Sequence, residues 1–217
     1  MVFDLNDINS ISLFIALILG LYKINKVEVS DKTFIFFIIY SFIIDILCQI
    51  LGKFNINNHF LLNINILLVF ILINQQLNKW NFYFKRQKLF FGLNLLILCI
   101  WTIESLIKSF LNLNNYSWAI SSFVLVVLSI QHINRLLFKE SGDLILNDKA
   151  LISIGLIVIN LFYTLIAIFV NFRFVASNSF YLSVVRLHTP VSIAINILFA
   201  FAIFLMPKRK KFLSINS

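Results

Sequence analysis

Long apolar runs alternate with short polar stretches along the whole chain, and the length of the runs sets the elements. A helix needs roughly 18–20 apolar residues to span a hydrocarbon core of about 30 Å. Seven segments approach or reach that length: approximately Ile8 to Ile24, Thr33 to Gly52, Asn58 to Leu77, Leu89 to Leu111, Tyr116 to Phe138, Ala150 to Phe172 and Leu182 to Met206. The pattern predicts an all-α polytopic membrane protein, a seven-transmembrane-helix bundle forming one domain over residues 1–217, with 207–217 as a basic tail. The first segment is the weakest, because Asn9 and Ser10 shorten it. The second holds despite Asp45: its thirteen Ile, Leu and Phe residues, at about −0.3 to −0.6 kcal/mol each, outweigh one aspartate at about +2.5 to +3.5.

The basic residues orient the bundle. One side carries Lys23, Lys26, Lys32, Lys79, Lys85, Arg86, Lys88, Arg135, Lys139, Lys149, Lys208, Arg209, Lys210 and Lys211, and the other only Lys53, Lys108, Arg173 and Arg186. The expected topology therefore has the N-terminus outside and the C-terminus cytoplasmic, which an odd number of spans requires. Tyr22, Trp80 and Tyr83 on the inner side, and Tyr116, Trp118 and Tyr181 on the outer, fall where interfacial aromatic belts lie. Every connection is short, the longest running through Lys139-Glu140-Ser141-Gly142-Asp143, so no soluble catalytic domain is expected. The N-terminal residues carry Asp4 and Asp7 and no basic start, so the first run is expected to be a retained helix and not a signal peptide.

Composition agrees with this pattern. Hydrophobic residues make up 60% and charged residues 12% of the chain, with a mean hydropathy of +0.94, against about 45–50% and about 25% in soluble domains. The net charge of +9 resides largely in the inner flanks, so nucleic acid is not an expected partner. The tail lysines and Arg209 favour anionic lipid by about 1 kcal/mol per charge. Cys48 and Cys99 both lie in apolar runs and supply neither a disulfide framework nor a thiolate cluster. Heavy use of Asn, Ile, Phe and Lys fits A/T-rich codons. With five Gly and two Pro, the helices are expected to be continuous, Pro190 being the one candidate kink, whereas transporters that unwind helices at mid-membrane show such breaks.

Intramembrane polar groups are where chemistry can reside. Ser41, Asp45 and Cys48 share a face of the second span. Ser153, Asn160, Thr164 and Asn171 follow one stripe of the sixth, and His188, Ser192 and Asn196 one stripe of the seventh. Asn160, Thr164, Ser192 and Asn196 are expected as interhelical hydrogen-bond contacts, and Ala16 and Gly20 as a close-packing face. Asp45, Asn63, Asn65, Glu104, Arg186 and His188 all lie in the outer halves of their spans, with Lys108 and Arg173 at the rim. Their shared depth suggests an outward-facing polar cavity for a small-molecule ligand. Two readings stand for each acid: Asp45 charges that cavity or pairs with Arg186, and Glu104 charges it or pairs with Lys108 one turn on. At the inner end of the fifth span, Gln131, His132, Asn134 and Arg135 read as a solvated helix end or a docking surface.

Several chemistries are missing. The seven-span zinc hydrolases of the adiponectin-receptor and alkaline-ceramidase group use three histidines near one face. Here position 192 is Ser, and His132 lies near the opposite face from His59 and His188. The seventh span has no lysine for a retinal Schiff base, no Pro-Gln dipeptide marks a sugar or amino-acid transporter of that type, and no phosphate-binding loop or nucleophile elbow occurs. No enzyme activity, cofactor or metal is expected.

Asn58-His59-Phe60-Leu61-Leu62-Asn63-Ile64, and Arg186-Leu187-His188 with Asn196 eight residues after the histidine, resemble the third and final helices of small seven-span membrane proteins of Bacteroidota, a functionally uncharacterised group. Val69 stands where that group often has an acid. The resemblance implies the fold and a bacterial cytoplasmic (inner) membrane, and no activity. Two functions remain: a non-enzymatic, receptor-like sensor, transducer or membrane-complex subunit signalling to a membrane or cytoplasmic partner, and a small-solute transporter of 3+1+3 architecture. Ile11 to Asn25 and Ser121 to Arg135 faintly echo each other, as such a repeat requires.

Overall fold

Runs of Ile, Leu and Phe almost free of glycine and proline fold as uninterrupted helices, because in hydrocarbon each backbone N–H must find its carbonyl within the segment. The computed structural model describes residues 5–139, 146–172 and 178–208. In chain order the helices are α1 (Leu5–Lys23), α2 (Lys32–Lys53), α3 (His59–Lys79), α4 (Gln87–Lys108), α5 (Asn115–Lys139), α6 (Asp148–Phe172) and α7 (Asn178–Leu205). Among the described residues the only strand-like pairing is an isolated bridge between Val27 and Lys208. Six helices, α2 to α7, are long and apolar enough to cross a membrane, while α1 offers the shorter apolar stretch Ile8–Lys23. The chain is an integral membrane protein built as an all-α bundle. The loop around Glu140–Asp143, Arg173, and the tail beyond Lys208 lie outside the described residues.

Asparagine does at the helix ends what glycine usually does. After α2, Asn55 takes a left-handed φ of 55°, its N–H reaches the Gly52 carbonyl at 3.1 Å and the Ile56 N–H reaches Leu51 at 2.9 Å. After α3, Asn81 has φ 59°, with Asn81 N–H on Asn78 at 2.9 Å and Phe82 N–H on Leu77 at 3.0 Å. Both are Schellman closures, with an apolar residue beyond the left-handed position. Asparagine is the non-glycine residue that tolerates this conformation best. Helix α4 ends at Lys108, three residues short of the predicted Leu111, because Ser109 leaves the helical region at φ 70°.

Six helices close a ring in the order α1, α2, α3, α5, α6, α7, each packed on the next and α7 back on α1. Helix α4 packs only against α3 and α5 among the principal contacts, outside the ring. The α5–α6 and α1–α7 contacts are the most extensive. Ala16 is fully buried, and a Cβ on Gly20 would sit 3.1 Å from Ile35 of α2 and 4.0 Å from Ile203 of α7. The Ala16–Gly20 face is thus where α1 meets both neighbours.

The two ends of the bundle differ. At the end reached by α1, α3, α5 and α7, called here the Trp80 end, Lys23 donates through Nζ to the carbonyls of Phe204 and Met206. It thereby satisfies acceptors that the last turn of α7 leaves open. Arg135 does the same for the turn after α3, donating to the carbonyls of Asn81 and Phe82. Between this end and the middle of the ring lies a packed apolar layer, in which Phe199 meets Phe34 edge-on at 5.2 Å. Gly155 admits the Phe199 ring: a Cβ there would lie 2.4 Å from Cε1. Gly155→Ala is expected to cost about 1–3 kcal/mol through overpacking, measured as a shift in the unfolding midpoint in detergent. A variant as stable as the native protein would mean that the ring rotates away freely.

Candidate functional site

A partly enclosed cavity of about 370 Å3 occupies the centre of the ring, toward the end opposite Trp80. All six ring helices contribute: Asn9 and Leu13 of α1, Ser41, Asp45 and Cys48 of α2, Asn65 and Val69 of α3, Trp118 and Ser122 of α5, Asn160 and Tyr163 of α6, and His188, Ser192 and Asn196 of α7. Leu113, in the turn before α5, reaches it too, and Ile73, Leu125, Leu156 and Phe199 line it as well. No residue of α4 lines it. The walls are predominantly apolar and aromatic with a few polar groups, as in small-molecule sites of about 300–1,000 Å3.

Among the described residues Asp45 is the only one lining the cavity that carries a formal charge at neutral pH. Its Oδ2 accepts from Ser10 Oγ at 2.6 Å and from Gln49 Nε2 at 3.0 Å, and Gln49 also donates to Ser10 Oγ. Among the described residues no cation reaches it, since the single ion pair there joins Lys108 and Glu104. On the opposite wall, the His188 ring lies 5.2 Å from that of Tyr163, which in turn lies 5.7 Å from Trp118. His188 Nε2 is 3.3 Å from Ser192 Oγ. Asn65 Oδ1 is buried and has no hydrogen-bond partner.

The expected site residues divide into two groups. Asp45, Asn65 and His188 are brought together in the cavity, with Asn160, Ser192 and Asn196. Asn63, Glu104 and Arg186 do not line it. Asn63 is fully buried and turned the other way: Nδ2 donates to the carbonyls of Phe110 at 3.1 Å and Asn112 at 2.8 Å, and Oδ1 accepts from the Asn114 N–H at 2.8 Å. Two residues along a helix is about 200° of rotation, which puts Asn63 and Asn65 on opposite sides of α3. Glu104 stands on the helix outside the ring. It accepts from Lys108 Nζ at 2.8 Å, from the Tyr116 N–H at 3.0 Å, and from both the N–H and hydroxyl of Ser117 at 2.7 Å. The pairing with Lys108 is the reading that the geometry bears out, and it extends to the first turn of α5. Arg186 is exposed and makes no ion pair with Asp45.

The expected interhelical contacts are corrected in part. Asn160 Nδ2 donates to the Leu156 carbonyl and Thr164 Oγ1 to the Asn160 carbonyl, each at 2.8 Å within α6, and Ser192 meets His188 within α7. A carbonyl four residues back is always within reach of such side chains, whatever the neighbouring helix does. Asn196 does cross to another helix, donating to Asn9 Oδ1 at 3.2 Å and Ser12 Oγ at 3.0 Å on α1.

The Trp80 end holds a second polar cluster that the sequence reading missed. His132 is not at a solvated helix end: it is 2% exposed, stacked on Trp80 at 5.1 Å and 12°, with Nδ1 2.9 Å from Ser153 Oγ. Ser153 donates to the Lys149 carbonyl at 2.8 Å, so its oxygen is left to accept from a proton on Nδ1. Its neighbours Gln131 and Asn134 are exposed, as expected. Trp80 Nε1 donates to Asp31 Oδ1 at 2.8 Å, and Tyr83 donates to Asn74 Oδ1. The available signal was the run of polar residues at this depth on separate helices, Asn74, Gln76, His132 and Ser153, which hydropathy assigns to flanks.

Asp31, just before α2, is fully buried, and burial raises its pKa above the usual 3.8, against the Trp80 hydrogen bond and nearby Lys149 and with nearby Glu28. A raised folded value means that the folded state binds the proton more tightly. Stability therefore falls as pH rises from about 3.8 through the raised value and stays lower above it. Asp31→Asn, which keeps an oxygen for Trp80, is expected to flatten that dependence and to equal or exceed the native protein at neutral pH. Asp31→Ala strands the Trp80 N–H and is expected to cost about 1–3 kcal/mol. Thermal unfolding of the three proteins across pH 4 to 8 in detergent checks this, and equal losses for the Asn and Ala variants would contradict it.

Among the described residues no three His, Cys, Asp or Glu side chains converge in a way that could hold a metal ion. Compared with known proteins, the chain matches no family model, no curated protein and no solved structure.

Proposed function

We propose that the protein is a non-enzymatic membrane sensor or transducer whose central cavity binds a small molecule from the outer side. The observation that carries this reading is the cavity itself, a space of about 370 Å3 to which every helix of the ring contributes. A ligand there touches six helices at once, so its binding energy can bias their relative positions, which is what transduction needs. The basic ends of the helices at the Trp80 end would then present the change to a membrane or cytoplasmic partner. The asymmetric placement of Lys and Arg supports putting that end in the cytoplasm.

The ring is compatible with a second reading, a small-solute transporter of 3+1+3 architecture. The ring consists of two triplets, α1–α2–α3 and α5–α6–α7, with α4 outside as the connector, and the contacts between triplets are α3–α5 and α7–α1. Exchanging the triplets exchanges these two contacts, as a two-fold axis along the membrane normal would. A sequential ring of any six helices shows the same exchange, so the packed floor at Phe199 and Phe34 weighs for the sensor.

Native mass spectrometry of the protein purified in mild detergent from its own host, followed by uptake in proteoliposomes, separates the readings. A retained small molecule or a stoichiometric protein partner, with no saturable uptake, is the expected result. Saturable uptake of the retained molecule would replace the sensor by the transporter.

A further inference from the structure

We propose that the cavity is selective for a small organic cation, a protonated amine on an apolar or aromatic body, with Asp45 as its counter-ion. This rests on the cavity being a ligand site. Asp45 is half-buried in a cavity between membrane-spanning helices, where an acidic side chain is stabilised by a partner of opposite charge. Among the described residues Asp45 has neutral donors only, Ser10 Oγ at 2.6 Å and Gln49 Nε2 at 3.0 Å, and no lysine or arginine lines the space. The described lining supplies no counter-charge. An anionic ligand would meet one negative group and no positive one.

The remaining walls fit the rest of such a molecule. Asn65 also lines the space; its Oδ1 has no donor and is closed off from solvent, and turning the amide toward the cavity would give it an ammonium N–H, which carries donors and no acceptor. Phe37, Trp118, Tyr163 and Phe199 supply aromatic surface, which stabilises a nearby cation by its ring quadrupole and packs an apolar body. The acid, the orphan acceptor and the aromatic walls come from separate helices, so the set exists only in the closed ring.

The test compares three probes of similar shape and different charge: phenethylamine, phenethyl alcohol and hydrocinnamate. Binding is measured by calorimetry on the full chain in nanodiscs of zwitterionic lipid at pH 7, where an alkylamine is protonated. The expected result is saturable binding of the amine about tenfold or more tighter than the alcohol, a difference of about 1.4 kcal/mol, and no binding of the carboxylate. Asp45→Asn, whose amide oxygen still accepts from Ser10 and Gln49, should abolish the preference for the amine over the alcohol. Asn65→Ala should weaken the amine more than the alcohol, an independent check if the Asp45 variant fails to fold. Equal binding of amine and alcohol, or an amine preference that survives Asp45→Asn, would overturn the cation proposal while leaving the cavity a ligand site. Binding of none of the three would remove both.

Discussion

Asn63→Ala is expected to destabilise the folded bundle by about 3 kcal/mol, one of the largest effects of any single polar truncation here. The amide is fully buried and its two donors and one acceptor tie three backbone groups of the turn between α4 and α5, at Phe110, Asn112 and Asn114. A typical buried hydrogen bond contributes about 1 kcal/mol net, and each group left without a partner adds about 1–3 kcal/mol. The turn also carries Leu113 into the cavity wall, so its release should disturb the ligand site as well as the fold. Denaturant titration in mixed micelles measures the first effect. A loss below about 1 kcal/mol would show that water replaces the amide at little cost. Asn63→Asp provides a sharper comparison: it keeps the acceptor for Asn114 but points a carboxylate at two carbonyls, and should do worse than alanine.

The second large effect is expected at Glu104. Its carboxylate, 6% exposed, serves both Lys108 and the opening of α5, where the N–H groups have no intrahelical acceptor and the helix dipole favours negative charge. Hydrogen bonds to a charged group are worth about 1.5–3 kcal/mol each, and Glu104→Ala is expected to cost about 3 kcal/mol. Glu104→Gln should fall between, since the amide can accept at one position and places an NH2 against a donor at the other. Lys108→Ala is the discriminating control. Lys108 is half-buried, at 31% exposed, and without it Glu104 keeps the Tyr116 and Ser117 donors, so its removal should cost less than that of Glu104. Hydrogen exchange gives a local signature: the Tyr116 and Ser117 amides should exchange faster in Glu104→Ala and stay protected in Lys108→Ala. Equal costs for the two variants would mean that the ion pair, and not the start of α5, is what Glu104 supports.

These two residues show where sequence reasoning stopped. Asn63, Asn65, Asp45, Glu104 and His188 were legible as a set because depth is local arithmetic: about 1.5 Å per residue from the end of a run. Which way each faces was not. Asn63 and Asn65 share a depth and face opposite ways, and only the neighbours of α3 decide which is the cavity side. Glu104 is at the depth of the cavity but on the helix that the ring excludes, and nothing in the hydropathy of α4 marks it as peripheral. His132 was misassigned for a related reason. Its position near a basic helix end resembles that of Gln131 and Asn134, yet Trp80, just past the end of α3, and Ser153 of α6 cover it.

Run length alone was enough to read an all-α membrane bundle and the approximate places of its helices, because run length and rise along an axis depend only on neighbours in the chain. The left-handed closures at Asn55 and Asn81 became visible only in the backbone. The order of helices in the ring, the exclusion of α4, the rotation that turns Asp45 and Asn65 inward and Asn63 away, and the burial of Asp31 and His132 follow from packing. Each of these depends on which surface meets which across distances of many residues. In a chain where nearly every face is apolar, hydropathy distinguishes those surfaces too little for periodicity to choose among them.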